Sequence, residues 1–304
     1  MIGVGEIIFI LVAPILELLG PFVPGDTFST FFEWKIFQRS LISIVLVTIV
    51  AGLIGIFLII QNLSLIGDGL AHVSFGGIAV ALVLGATYPM WWALLFSVIA
   101  SVIIYEFQAR DILTGDASIA IFLTGMLALG LVTLRLGGGG VTSDIEGYLF
   151  GSVLLVSTED LNMIATICVV ALIFMVIIGN NVLACAVDPM AARIQGLPVD
   201  AIGRLFSIIT ATVVVSMVQV IGALLVTALL VTPAATAQQI GNSFRSCLIW
   251  TQVFGLVAVF GGLFLSSEIG GGSGSMIALL AAVNFGIVTI GKIYLNYNTT
   301  SNNN

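Results

Sequence analysis

Two ionisable residues in an otherwise apolar stretch, Asp68 and His72, offer the clearest chemistry in this sequence. They stand four apart in Gln61-Asn-Leu-Ser-Leu-Ile-Gly-Asp-Gly-Leu-Ala-His-Val-Ser-Phe-Gly-Gly77, and His72 is the only histidine. On a helix both side chains project from one face, one turn apart. A carboxylate oxygen and an imidazole nitrogen form half a shell for a borderline divalent cation such as zinc or manganese. Gly67, Gly69, Gly76 and Gly77 flank the pair and leave room for a neighbouring helix or a substrate. The same spacing also fits a helix that begins near Gly69, with Asp68 as its cap and His72 as a packed polar residue.

A second stretch runs Ala184-Cys-Ala-Val-Asp-Pro-Met-Ala-Ala-Arg-Ile-Gln-Gly-Leu-Pro198. Asp188 suits an N-cap, Pro189 the first helical position, Gly196 the C′ position, and Pro198 a stop beyond it. The pattern predicts a helix of about two turns, too short to span a bilayer. Such a helix, carrying Ala191, Ala192 and Arg193, is either an ordinary loop helix or a rigid projection that docks in a partner's groove. A third stretch, Val220 to Ala237, places Pro233 inside an apolar run, where it removes a backbone hydrogen bond and kinks the helix. Structural packing is the simpler role there, since Ala and Thr after the proline permit close helix contacts.

The elements that must position these residues follow from composition. The chain has 304 residues, 60% hydrophobic and 8% charged, with a net charge of -7. Its mean hydropathy is +1.24. A soluble domain averages about 25% charged residues, so this chain belongs in a bilayer. The negative balance repels phosphate and excludes nucleic acid as a partner. Cys168, Cys185 and Cys247 lie far apart and form neither a disulfide framework nor a thiolate metal site. No GxxxxGK[ST] motif occurs, so ATP is not bound by that route, and no HExxH motif supports an intramembrane hydrolase.

A spanning helix needs about 20 mostly apolar residues. Residues 40–67, 73–105, 161–187, 205–244, 246–267 and 269–291 carry no charge, and 117–134 form a shorter apolar run. The 205–244 interval is long enough for two spans, with Gln219 and Gly222 near a bend. The fold class is therefore an all-α, polytopic membrane helix bundle of about eight to nine spans. Residues 1–34 read as an N-terminal extension, either a spanning helix or one at the interface, interrupted by Glu6, Pro14 and Glu17. Residues 35–295 form the membrane domain, and polar 296–304 a frayed tail. The glycine runs 137–140 and 270–274 read as turns outside the membrane. Placing Arg110, Arg193, Arg204, Arg245 and Lys292 in the cytoplasm leaves Lys35, Arg39 and Arg135 outside.

Taken together, these stretches resemble the membrane permease subunit of ATP-binding-cassette importers for zinc and manganese. The resemblance rests on Leu65-Ile-Gly-Asp-Gly-Leu-Ala-His72 with Gly77, Tyr148-Leu-Phe-Gly-Ser152, Ser157-Thr-Glu-Asp-Leu161, Asp188 to Pro198, and Gly222 through Ala237, over about residues 36–292. It implies that Asp68 and His72 coordinate the transported metal. It also implies that the helix from Asp188 to Leu197 couples to the ATPase, through Asp188, Pro189, Ala191, Ala192, Arg193 and Gly196. The chain would then be a multi-pass protein of a prokaryotic plasma membrane and no enzyme itself. It would hold no cofactor; ATP would be hydrolysed by a separate cytoplasmic subunit. An extracellular solute-binding protein would deliver metal, and a second permease subunit, expected as a homodimer, would complete the path. Ser74-Phe-Gly-Gly77 resembles zinc-type members and favours zinc over manganese. Gln238-Gln239 and the turn from Ser266 to Ser273 depart from the family pattern, as do the first 34 residues. A proton-coupled secondary transporter using Asp68 and His72 as relays is the rival reading.

Overall fold

The computed structural model describes residues 3–25, 27–137 and 156–301. Every regular element among them is helical. In chain order these are α1 (Val4–Leu19), α2 (Thr30–Glu33), α3 (Lys35–Ile60), α4 (Ile66–Val83), α5 (Pro89–Ala109), α6 (Gly115–Leu136) and α7 (Thr158–Val187). They continue as α8 (Pro189–Ile194), α9 (Val199–Ile221), α10 (Val226–Leu230), α11 (Thr232–Ile240), α12 (Phe244–Ile269) and α13 (Ser273–Ser301). Nine of the described helices are long and apolar enough to cross a membrane, if α1 is extended to Phe22.

The most enclosed of the long helices are α3, α4 and α9. Ile44, Val47, Val50, Ala51 and Ile54 of α3 are fully enclosed, as are Val213, Val214 and Met217 of α9. Peripheral helices show the opposite pattern: Val176 and Ile177 of α7 and Ile287 and Ile290 of α13 are exposed. Apolar side chains facing outward suit helices bathed in lipid. Close backbone approach holds α4 in place. A Cβ on Gly76 would lie 2.8 Å from the Met126 carbonyl of α6, and one on Gly77 2.8 Å from the Trp92 carbonyl of α5. Small residues are the usual means by which helices pack without a hydrophobic driving force.

Two charge-free intervals divide differently from the sequence expectation. The 73–105 interval holds parts of two helices, because Gly85 (φ +66°) turns the chain and Pro89 starts α5. The 205–244 interval holds one long helix followed by a broken series. Gly222 ends α9 with φ +85°, a conformation only glycine adopts without strain. Short helical pieces then follow, and Pro233 sits in the first turn of α11. The proline therefore starts a new helix and does not kink a continuous one, since its missing N–H is no loss there. Among the described residues, helices of spanning length number nine with α1 and eight from α3 onward, with different assignments. At the C-terminal end α13 runs on to Ser301, into the polar stretch. Extending an existing helix avoids the cost of nucleation, so weak helix formers can follow.

Candidate functional site

Asp68 lies in the first turn of α4 and His72 one turn later, so the pair stands within a helix and Asp68 is not its cap. A carboxylate in a first turn is favoured by the unpaired N–H groups there. Asp68 Oδ1 accepts a hydrogen bond from the hydroxyl of Thr227, carried by α10. Both Asp68 and His72 are half-buried. The Nδ1 atom of His72 is buried and has no hydrogen-bond partner among the described residues. A neutral imidazole has one lone pair to give, and an orphaned ring nitrogen beside a carboxylate suits a cation.

The surrounding glycines permit this meeting. A Cβ on Gly67 would lie 3.0 Å from Leu230 Cδ2 and 3.4 Å from Thr227 Oγ1. One on Gly69 would lie 2.6 Å from Ile119 Cγ2 of α6. Gly55 of α3 faces the Leu230 carbonyl so closely that a side chain there has no room. The Ser97 hydroxyl donates to the Leu70 carbonyl at 3.3 Å, which sets the pair level with the middle of α5. Among the described residues no group of three His, Cys, Asp or Glu side chains meets. Asp68 and His72 thus supply two donors, and Thr227 adds a hydroxyl oxygen beside them. Thr227 was missing from the sequence-level site. Its stretch was read there as packing, and its only local signal was the bend near Gln219 and Gly222.

The short helix α8 forms as its residues dictate. Asp188 Oδ1 accepts from the Ala191 N–H at 2.9 Å. At the other end Gly196 adopts φ +83°, its N–H bonds the Arg193 carbonyl at 3.0 Å, and the Leu197 N–H bonds the Ala192 carbonyl at 3.1 Å. This double closure is the Schellman arrangement. Arg193 reaches forward to Asp200 of α9 at 2.7 Å. Ala192 is only 1% exposed and seats the helix on its own chain, whereas Met190 and Ile194 are 75% and 87% exposed. These two apolar side chains, a turn apart, were not singled out from the sequence. A cavity of about 440 Å³ opens beside Met190, lined also by Gln61, Tyr105, Asp111 and Phe206 among others. Arg204 and Arg110 both pair with Glu106 at this end of the bundle, at 3.1 and 2.9 Å.

The other motifs have structural roles or lie elsewhere. Ser157 and Asp160 form a reciprocal cap at the start of α7, each side chain bonding the other's backbone N–H at 3.1 Å. Asp160 also accepts from Gln219 near the end of α9. Gln239 donates to Thr289 of α13 at 2.7 Å. Tyr148 to Ser152, and the glycine run beyond Gly137, lie outside the described residues.

Comparison with known proteins gives a consistent result. The ABC 3 transport family matches residues 33–292. The manganese import system permease protein ScaB of Streptococcus parasanguinis is 31% identical over 253 residues, 83% of this chain and 89% of that protein. The manganese transport system membrane protein MntC of Halalkalibacterium halodurans is 30% identical over 260 residues, 86% of this chain and 88% of its own length. Among solved structures, a chain of PsaBC from Streptococcus pneumoniae, in complex with Fab, superposes with a TM-score of 0.74 at 30% identity. That match covers 85% of this chain and 92% of the other. A chain of a metal-chelate type ABC transporter in an inward-facing conformation reaches 0.73 at 15% identity, over 93% and 97%, a likeness of fold alone.

Proposed function

The chain belongs to the ABC 3 transport family, and from that premise we propose that it passes manganese(II) into the cell through Asp68 and His72. It is a multi-pass cell-membrane permease, and ATP hydrolysis resides on a separate chain. The observation that carries the site is the hydrogen bond from Thr227 to Asp68, with the unpartnered ring nitrogen of His72 one turn along α4. Manganese is supported by the printed functions of the ScaB and MntC relatives and by the donors. Carboxylate, hydroxyl and water oxygens suit a hard divalent ion, with one imidazole beside them. Zinc, expected from Ser74-Phe-Gly-Gly77, has no such support, and Gly76 and Gly77 serve to admit the backbones of α6 and α5.

Asp68 offsets the charge of a partly dehydrated cation, and His72 supplies a nitrogen only while unprotonated. The two chain ligands leave the remaining positions to water or to a second permease subunit. Few protein ligands make a site from which a cation can leave again. Delivery from outside by a solute-binding protein and coupling to the ATPase through Met190 and Ile194 complete the reading. Its test is uptake of radioactive manganese in cells lacking their own importer, with the transporter's partners co-expressed. Asp68→Asn and His72→Ala, at matched expression, should each lower uptake at least tenfold. Wild-type uptake in both variants would remove the pair from the pathway, and accumulation of radioactive zinc with none of manganese would restore zinc.

A further inference from the structure

Residues 3–25 and 27–32 precede the stretch matched by the family, and the contacts of α1 bear on whether it is another membrane crossing. The C-terminal ends of α3 and α7 approach the cavity beside α8, at Gln61 and at Val182 and Cys185. Their N-terminal ends therefore lie at the opposite face. Both ends of α1 meet that opposite face. At its start, the Glu6 N–H bonds Asn162 Oδ1 in the second turn of α7 at 2.9 Å, and Gly5 packs against the Leu161 backbone. Arg39, in the second turn of α3, stacks over Phe9 at 5.6 Å. At its end, Gly20 lies against Phe32 and Glu33, just before α3 begins. A 16-residue helix is about 24 Å long, so a crossing would have put these ends on different faces.

We propose that α1 lies flat in the headgroup region of the outer leaflet, as a lipid-binding collar around the outer ends of α7, α3 and α12. Three faces support this assignment. Gly5 and Ala13 are buried against the bundle, with Phe9, Val12 and Leu16 packed beside them. Glu6 and Glu17, three turns apart, share one edge of the helix. Ile7, Leu11, Ile15 and Leu18 are exposed on the remaining side, between 50% and 72%. An exposed apolar face with a separate acidic edge fits a helix half sunk in acyl chains. Trp34 is 61% exposed at the same level, where tryptophans mark membrane interfaces. The collar is fastened at its far end as well. Glu268, at the end of α12, accepts from the N–H groups of Thr27 and Phe28 at 2.9 and 3.0 Å, and Phe28 meets Phe264 edge-on at 5.5 Å.

The face called outer depends on α8 facing the cytoplasm, as in the proposed function; the flat placement does not. Single cysteines at Val4, Phe22 and Gln195, in the transporter complex with its native cysteines replaced, would be treated with an impermeant maleimide in intact cells. Manganese uptake by each variant confirms that it is folded. Val4→Cys and Phe22→Cys should label alike and opposite to Gln195→Cys. Opposite labelling of Val4→Cys and Phe22→Cys means a spanning α1 and overturns the collar. Reversal of all three upsets only the orientation and leaves the collar standing. In vesicles, a bimane at Leu11→Cys should be quenched more strongly by a lipid with a shallow nitroxide than by one deep in the chain. Stronger quenching from the deep nitroxide would overturn the proposal. So would lack of quenching by either lipid together with shielding by the solute-binding protein.

Discussion

Thr227 reaches Asp68 from a segment 159 residues downstream, and that reach makes it the informative residue of the site. Hydrogen bonds to charged groups contribute about 1.5–3 kcal/mol, and loss of a ligand's supporting partner typically costs about 10- to 100-fold in metal affinity. Thr227→Val keeps the shape and removes the donor, so half-maximal uptake should need about tenfold more manganese. Thr227→Ser should stay near wild type. Equal losses in both variants would show that the methyl group matters and the hydroxyl does not. His72 adds a pH dependence of known sign. Protonation removes its lone pair, so uptake should fall as external and internal pH drop far enough to protonate the imidazole. The residual uptake of His72→Ala should lose that dependence, measured at constant free manganese. Asp68 and His72 were legible because ionisable side chains are rare in apolar runs and their spacing is local. Thr227 was not, since one threonine among several in an apolar run acquires meaning only when Gly222 turns the chain back.

At the scale of elements, α8 shows how much a sequence can say when every determinant is local. Its cap, its first proline and its closing glycine all lie within nine residues, and each takes its expected position. What local pattern cannot tell is which face of so short a helix is turned inward. Ala192 faces the chain, and Met190 and Ile194 face away from it. A double variant, Met190→Asp with Ile194→Asp, should leave the amount of permease in the membrane unchanged and reduce co-purification of the ATPase at least tenfold. Ala192→Arg is predicted to lower permease recovery too, because a charge would enter a buried seat. Unchanged ATPase recovery in the double variant would take the docking role away from this face. The break after α9 was only partly legible: Gly222 and Pro233 signal interruption, but whether the chain crosses again or breaks into short turns is decided by tertiary packing. The close seat of the Leu230 carbonyl on Gly55 belongs to that packing.

For the whole molecule, the sparse charge sorts by position along the bundle. Glu106, Arg110, Arg193, Asp200 and Arg204 gather at the α8 end, while Arg39, Asp160 and Glu268 tie elements together at the other. Between these two ends, Asp68 and His72 form the only paired carboxylate and imidazole the chain can offer, since it has one histidine. A proton-coupled carrier would need this pair to take up and release protons in step with cargo. A permease needs it only to hold a cation while an attached ATPase moves the helices. The family relation favours the second mechanism, and the two differ in a direct measurement. Liposomes containing the purified permease alone, with an inward proton gradient and external manganese, should show no uptake above empty liposomes. Liposomes containing the permease with its ATPase, ATP inside and the solute-binding protein outside should accumulate manganese, and collapse of the proton gradient should not slow it. Gradient-driven uptake by the permease alone would instead assign the pair to proton relay, and the exposed face of α8 would then lack its partner.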